Sequence, residues 1–133
     1  GAGSKQLDKA KSMKLRYFNL EEFDSPDAPG SGEEYMDEEF LEMLDKARHF
    51  AGVPFVINSG YRTRSHNRKV GGSKHSSHMN GMAADISCTE SRQRAYIIGG
   101  LVDAGFNRIG IGQTFIHADN DPEKPEDVIW TYY

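Results

Sequence analysis

The spacing of apolar residues predicts one clear amphipathic helix in the first half of the chain. It would begin at Met36 or Asp37 and end at Ala51. Its apolar positions recur every three or four residues, as in a helix that packs one face on a core; they are Phe40, Leu41, Leu44, Ala47 and Ala51. Asp37 can cap the acidic first turn, and Gly52 is a natural stop.

A second helix is expected from Ser91 to Ala104. Thr89 or Ser91 can serve as its N-cap, and Gly105 can end it. Together the two helices would supply the apolar faces that a sheet needs as partners.

Two polar stretches have the composition of loops. Residues 25–33 are rich in Ser, Pro, Asp and Gly. Residues 59–77 form a polar stretch with Gly71-Gly72 inside it, and a structureless loop of about 19 residues in a compact domain is usually functional. Before both lies a short helical element, expected at residues 18–23, which Asn19 can cap.

Five short segments have the composition of β-strands. They lie at residues 54–58, 81–87, 106–111, 114–118 and 128–133. The last three are too close together for helical crossovers, and a turn with two prolines separates the final two. Combined with two helices, this pattern predicts an α+β fold in which a small, mainly antiparallel sheet is flanked by helices.

Length and composition indicate one domain, at residues 13–133. A chain of 133 residues can bury a core without disulfides or metal staples. Residues 1–12 are polar and lysine-rich and begin like an expression-tag remnant, so we expect a disordered N-terminus there. No apolar run approaches the roughly 18 residues that span a bilayer, and no signal segment is visible. We therefore expect no membrane insertion and leave localisation open.

Charge is unevenly distributed, although the net charge is only -4. Acidic residues dominate residues 21–45, whereas residues 59–84 contain none. The cations of that second stretch are Arg62, Arg64, Arg68, Lys69 and Lys74. They form either a solvated loop or a positive rim that attracts substrate carboxylates. Since the whole chain is acidic and lacks interleaved basic and aromatic residues, we expect no nucleic-acid partner.

His78, Asp85 and His117 are the residues that point most directly to chemistry. Cys88 is the only cysteine, so a metal would have to bind through histidine and carboxylate. Catalytic zinc typically takes three such ligands and keeps a fourth position for water. A turn at Gly81 would bring His78 over the strand face that carries Asp85, and His117 lies in a strand that can be its neighbour.

Each histidine, taken alone, is more often a surface residue or a hydrogen-bonded core residue. Asp85 is harder to explain without a partner, because it lies between Ala84 and Ile86 in an apolar strand. A cation would satisfy its carboxylate. Residue types and spacing thus leave both a metal site and a metal-free structural domain open.

Several motifs, in order along the chain, resemble the D-Ala-D-Ala carboxypeptidase-like zinc peptidases of the M15 type. The central motif is Ser76-x-His78-x-x-Gly81-x-Ala83-x-Asp85. Upstream, Ser59-Gly60-Tyr61-Arg62 is similar to a Ser-Gly-Tyr-Arg block of that family. Downstream, Phe115-Ile116-His117-Ala118-Asp119 is similar to its closing Phe-Val-His-x-Asp. His66-Asn67 and Val70-Gly71-Gly72 resemble the spacing in small phage and bacterial members.

This resemblance implies a zinc metallopeptidase with one Zn²⁺ and the compact fold shared with the hedgehog signalling domain. Its substrate would be an amide bond in peptidoglycan stem or cross-link peptides, cut by a DD-carboxypeptidase or an endopeptidase. By motif position, His78, Asp85 and His117 would be the zinc ligands. Arg62 would contact the substrate carbonyl or the developing oxyanion, and Ser76 would line the substrate pocket or brace the site. We expect a monomer that acts on the cell wall, as a phage endolysin or an exported bacterial enzyme.

The general base is the point at which this sequence departs from the resemblance. Many relatives carry Glu, Asp or His a few residues before the second histidine, whereas residues 111–114 here are Ile, Gly, Gln and Thr. The remaining candidates are Asp119, His75 and His66. Asp119 would share a strand face with His117, so it would either activate the water or orient a ligand histidine.

The missing upstream base keeps a second function open. The chain would be either an active zinc peptidase of cell-wall peptides or a zinc-containing module that has lost catalysis. Such a module would bind wall fragments or a protein partner. The two functions share the metal site and differ in whether an amide bond is cleaved.

Overall fold

The structure is a computed structural model that describes residues 14–133. The tag remnant and disordered N-terminus expected at residues 1–12 lie outside the described residues. The helices are α1 Ser31–Tyr35, α2 Glu38–Ala51, α3 Arg64–Lys69 and α4 Ser91–Asp103, with 3-10 turns at Leu20–Phe23 and Ser77–Asn80. The strands are β1 Ile57–Ser59, β2 Ala83–Ser87, β3 Arg108–Ile111, β4 Phe115–Asp119 and β5 Val128–Thr131.

Helix α2 forms where its apolar spacing predicts it. The Asp37 side chain accepts a hydrogen bond from the Phe40 backbone N–H, and Gly52 ends the helix in the left-handed conformation. The buried face of α2 packs against α4. The two helices approach closely at Gly100, where a Cβ would overlap the carbonyl oxygen of Ala47.

The five strands form one sheet in the order β1-β2-β4-β3-β5. Neighbours are antiparallel from β1 to β3, and β5 pairs in parallel with β3. The predicted α+β fold is therefore confirmed, with a mixed sheet that is mainly antiparallel. After β4 the chain crosses to the far side of β3, where β5 forms the edge of the sheet. The C-terminal residues therefore lie beside β3.

The core lies between the helices and one face of the sheet. Sheet residues such as Ala84, Ile86 and Ile116 share one buried cluster with Phe40 and Leu101 from the helices. Successive side chains of a strand point to opposite faces, so Asp85 and His117 lie on the face away from this core. Among the described residues, no helix is long and apolar enough to cross a membrane.

The loop predicted at residues 59–77 is partly helical, which corrects that prediction. Helix α3 lies inside it, and the Thr63 side chain caps the helix by accepting from the His66 N–H. Six polar residues with only Asn67 buried give no apolar stripe, so the pattern of hydrophobic positions could not reveal this helix. Likewise, α1 begins within the loop predicted at residues 25–33, and the N-cap of α4 is Glu90 instead of Thr89 or Ser91.

Candidate metal centre

Strand pairing places two of the three predicted ligands side by side. In the antiparallel register of β2 and β4, Asp85 is directly opposite His117, and Ala83 is opposite Asp119. Cross-strand neighbours of this kind have Cβ atoms about 5 Å apart. The small side chain of Ala83 leaves room beside Asp85 on that face.

His78 reaches the same place from the 3-10 turn Ser77–Asn80. The turn begins with Ser76, whose Oγ accepts the His78 backbone N–H at 3.2 Å. It ends at Gly81, which has φ +70° and whose Cβ position would overlap the Tyr35 carbonyl oxygen. Only glycine satisfies both the left-handed backbone and this close approach. The glycine of the motif therefore fixes where His78 lies.

The candidate ligand atoms of His78, Asp85 and His117 all lie within 4.8 Å of one another. Asp85 Oδ1 is 3.3 Å from His78 Nε2 and 2.8 Å from His117 Nδ1. Both imidazoles are buried, and Asp85 is partly buried. The sequence predicted this set, and the structure brings all three residues together.

The other nitrogen of each imidazole identifies the tautomer. His78 Nδ1 is 2.8 Å from the Gly60 carbonyl oxygen, which can only accept, so Nδ1 carries the hydrogen. His117 Nε2 is 2.7 Å from Asp119 Oδ2 and donates to that carboxylate. His78 Nε2 and His117 Nδ1 both face the Asp85 carboxylate, and each would supply a lone pair to a cation bound between them. Three electron-pair donors that converge in this way fit a cation such as Zn²⁺.

Asp119 is held on both of its oxygens. Its Oδ1 accepts from Arg108 Nε at 2.6 Å and from the Asp121 backbone N–H at 3.3 Å. Its Oδ2 accepts from His117, and the residue is only 1% exposed. Arg108 also donates to the Pro125 carbonyl. The contact with His117 matches one of the two roles predicted for Asp119, that of orienting a ligand histidine. Its Oδ2 accepts one hydrogen bond and keeps a second lone pair, so the role in activating water stays a prediction.

The electrostatics of the cluster follow from these contacts. Burial alone would raise the pKa of the Asp85 and Asp119 carboxyls, but hydrogen bonds from the neighbouring imidazoles hold both pKa values below their usual range. Burial alone would lower the pKa of His117, but its hydrogen bonds to Asp119 and Asp85 raise it instead. A cation that binds at Nδ1 would therefore displace the hydrogen from that nitrogen. The carboxylates are therefore charged at neutral pH, as metal binding requires.

Arg62 is tied to the same cluster. Its Nη2 lies 3.3 Å from Asp85 Oδ2, its Nε donates to Ser59 Oγ at 2.9 Å, and its Nη1 donates to Asn67 Oδ1 at 3.3 Å. A guanidinium has five N–H groups, so two remain for another ligand. The arginine both braces Asp85 and presents donors to the cleft.

The three ligands open into a cleft of about 320 Å³. Its lining includes Arg62 and Ser76, as expected, and Phe115 from the closing motif. Two further aromatic residues, Trp130 and Tyr132, were not expected there. The Trp130 ring lies 5.6 Å from the His117 ring, and the Tyr132 ring lies 5.0 Å from that of Phe115. The alternation of Trp130 and Tyr132 was the one sequence signal that could have pointed to them. It could not reveal that the last strand pairs in parallel with β3, which is what brings both rings to the cleft.

The two other candidate bases lie outside this cleft. His75 lines neighbouring cavities with Lys74 and Met79, and His66 lines a separate cavity with Asp27. Neither residue is part of the cleft lining. The structure thus brings together the three predicted ligands with Arg62, Ser76 and Asp119, and it leaves the two other histidines apart.

Comparison with known proteins agrees with this geometry. A family model described as Peptidase M15 matches residues 16–119. The matched range includes the three candidate ligands as well as Arg62 and Ser76. It ends at Asp119, before Trp130 of β5 and Tyr132 after it. A search of curated proteins found no significant match.

Proposed function

Because this chain belongs to the peptidase M15 family, we propose that it is a zinc-dependent peptidase that hydrolyses an amide bond in peptidoglycan stem or cross-link peptides. One observation carries the proposal: His78, Asp85 and His117 converge within 4.8 Å, with the remaining nitrogens of both imidazoles held by acceptors. The zinc requirement follows from this donor set. The cell-wall substrate follows from the motif resemblance.

His78 Nε2, Asp85 Oδ1 and His117 Nδ1 are the atoms that would hold the zinc. When bound there, zinc would supply a Lewis acid that polarises a carbonyl and lowers the pKa of water towards about 7. Arg62 would direct its two remaining N–H groups at the oxygen that becomes negative as the amide is attacked. Ser76, which lines the cleft and caps the turn of His78, would keep that ligand in position.

We assign Asp119 the role of a positioning residue. Its carboxylate accepts the Nε2–H of His117 and fixes the tautomer in which Nδ1 faces Asp85. Arg108 holds Asp119 in turn, so the orientation of His117 depends on a contact between β3 and β4. The proton-transfer role predicted for Asp119 would have to use the second lone pair of Oδ2, beside the bond to His117.

A specific observation supports the second candidate function, a zinc-containing module that binds without cleaving. Within the described part of the chain, the only acidic residues that line the cleft are Asp85, a candidate ligand, and Asp119, whose oxygens are both engaged. Residues 111–114 supply no acid either. The cleft therefore has no assigned general base under either function, and only a measurement of hydrolysis distinguishes the two.

The test uses the zinc-loaded protein and purified peptidoglycan, with released termini identified by mass spectrometry. We expect cleavage products from the wild type, and background levels from Asp85→Ala and His117→Ala. Lys69→Gln, a change on α3 away from the cleft, should behave as the wild type. Bound zinc without cleavage at any pH between about 5 and 9 would favour the binding module. Failure to bind zinc on titration would rule out both functions.

A further inference from the structure

We propose that a basic basin beside the metal cleft binds a carboxylate of the substrate peptide. The inference rests on the proposed peptidase function and adds a substrate class to it. The basin consists of two adjoining cavities, of about 730 and 420 Å³. The residues that line both are Arg64, Lys74, His75 and Met79.

The charge of the basin comes from one stretch of sequence and one helix. Arg64 and Arg68 are four residues apart on α3, so they lie on the same side of that helix. Lys74 follows in the segment after it. This stretch belongs to residues 59–84, which contain no acidic residue. The smaller cavity is therefore lined by three cations and by no acid.

The larger cavity adds Lys124 together with two acidic residues, Asp121 and Glu123. The Asp121 carboxylate is committed to the protein, because it accepts from Ser77 Oγ at 2.7 Å and from the Glu123 backbone N–H at 3.0 Å. The Asp121 charge also acts on Lys124, so the larger cavity is mixed in charge and the smaller one is purely basic.

Three cations of the basin, Arg64, Arg68 and Lys74, have no acidic partner among the described residues, whereas the charge of Lys124 acts on Asp121. Across residues 14–133, no carboxylate lies within ion-pair distance of Arg64, Arg68 or Lys74. Like charges gathered around a cavity repel one another, and an anion between them relieves that repulsion. Guanidinium groups pair with carboxylates through two parallel hydrogen bonds, which gives the pairing both strength and direction.

The basin is continuous with the cleft that holds the candidate ligands. Gly72 lines both the smaller cavity and the cleft, and Ser76 and Lys124 line both the larger cavity and the cleft. The segment between them is fixed by Asn67, whose Nδ2 donates to the Ser73 carbonyl at 2.9 Å. A peptide with its scissile bond at the metal would therefore extend into the basin. Among anions, a peptide carboxylate fits this continuity best.

The experiment compares two synthetic peptide substrates that differ only in one group, a free carboxylate in one and a carboxamide in the other. Arg68→Gln and Lys74→Gln are expected to raise KM for the carboxylate peptide by about tenfold, the usual effect of losing a charged hydrogen bond. The kcat for that peptide and both constants for the carboxamide peptide should be unchanged. Lys69→Gln is the matched control, since Lys69 is on the same helix but lines a separate cavity.

The outcomes separate this inference from the proposed function. The basin proposal would be overturned if Arg68→Gln raised KM equally for both peptides. It would also be overturned if Lys69→Gln raised KM for the carboxylate peptide as much as Arg68→Gln does. If neither peptide is hydrolysed, the peptidase proposal fails, and the basin is then tested by titrating both peptides into the zinc-loaded protein. Tighter binding of the carboxylate peptide that Arg68→Gln abolishes would support it. Binding of inorganic polyphosphate that the variants weaken, without any preference between the peptides, would overturn it.

Discussion

At the scale of single residues, the site is defined by the atoms that do not face the metal position. The carbonyl of Gly60 and the carboxylate of Asp119 each accept one imidazole hydrogen, so the opposite nitrogens of His78 and His117 face the metal position, where they would donate lone pairs. Arg62 holds the outer oxygen of Asp85 in the same way. Loss of one such outer contact commonly lowers metal affinity by about 10- to 100-fold.

Asp119→Asn is expected to weaken zinc binding by about 10- to 100-fold while the protein stays folded. The amide carries no charge to hold the His117 hydrogen, and it leaves Arg108 without its carboxylate partner. Zinc affinity is measured by competition with a coloured chelator, and folding by circular dichroism. Asp103→Asn, an exposed position on α4, is the control and should keep wild-type affinity. Unchanged zinc affinity with lost hydrolysis would instead return Asp119 to the role of general base.

The ligands could be predicted from residue types and motif order, but the roles around them could not. Asp119 was expected on the same strand face as His117, and the structure places it there. Its contact with Arg108 depends on the pairing of β3 with β4, which spacing along one strand does not contain. For the same reason the sequence left His75 and His66 as candidates, since only the fold shows that they line other cavities.

At the scale of elements, a tight turn carries one ligand, His78, and two paired strands carry the other two. The 3-10 turn Ser77–Asn80 is locked between Ser76 at its start, Gly81 at its end, and Asp121 from the segment after β4. The Gly81 carbonyl also accepts the backbone N–H of Asp37, at the start of α2. The position of His78 therefore depends on its own segment, 76–81, and on two distant parts of the chain, Asp37 and Asp121. The length of the polar stretch indicated a functional segment, and its internal helix and turn became visible only in the structure.

Gly81→Ala is expected to reduce the free energy of unfolding by more than about 2 kcal/mol, the upper end of the cost of placing a side chain in the left-handed region. The additional loss comes from overlap with the Tyr35 carbonyl, which belongs to the backbone and cannot rotate away. Gly71→Ala is a matched control, because Gly71 has φ +73° but no atom near its Cβ position. Urea denaturation measures both variants. If both variants lost the same free energy of unfolding, the close approach of Gly81 to the Tyr35 carbonyl would make no contribution to stability.

Asp121→Asn should remove a pH-dependent part of the stability. Burial would raise the pKa of this carboxyl, but hydrogen bonds from Ser77, the Glu123 backbone and Asn80 lower it below its unfolded value. A lowered pKa in the folded state stabilises the protein above about pH 4, and the contribution disappears as pH falls through the folded-state pKa. The difference in unfolding free energy between wild type and variant should therefore shrink on acidification. A difference that stays constant with pH would contradict this assignment.

At the scale of the whole molecule, the sheet separates two tasks. One face packs on α2 and α4 and supplies the core, while the other face carries Asp85, His117 and Asp119. The α+β class and the long amphipathic helix were predictable because both follow from the local period of apolar residues. The parallel pairing of β5 was not, because it depends on a chain reversal around β3. That pairing adds Trp130 and Tyr132 to the cleft, beyond the part that matches the family.

Zinc is expected to stabilise the whole domain, because its three ligands come from segments far apart in the sequence and are together only when the chain is folded. With free zinc at 100 times its Kd, linkage gives about 2.7 kcal/mol. For a domain of this size, such a gain raises Tm by roughly 10 °C. Differential scanning calorimetry of the zinc-loaded and chelator-treated protein measures the change.

The same measurement on variants locates the source of the stabilisation. Asp85→Asn replaces a charged ligand by a neutral one of the same shape, so its Tm should respond much less to zinc. Lys69→Gln leaves the ligands intact, so its response should equal that of the wild type. A zinc response that survives in Asp85→Asn would place the bound metal elsewhere on the protein. Because unfolding is global, a true response must also appear in the near-UV signal of Trp130, whose ring packs on His117.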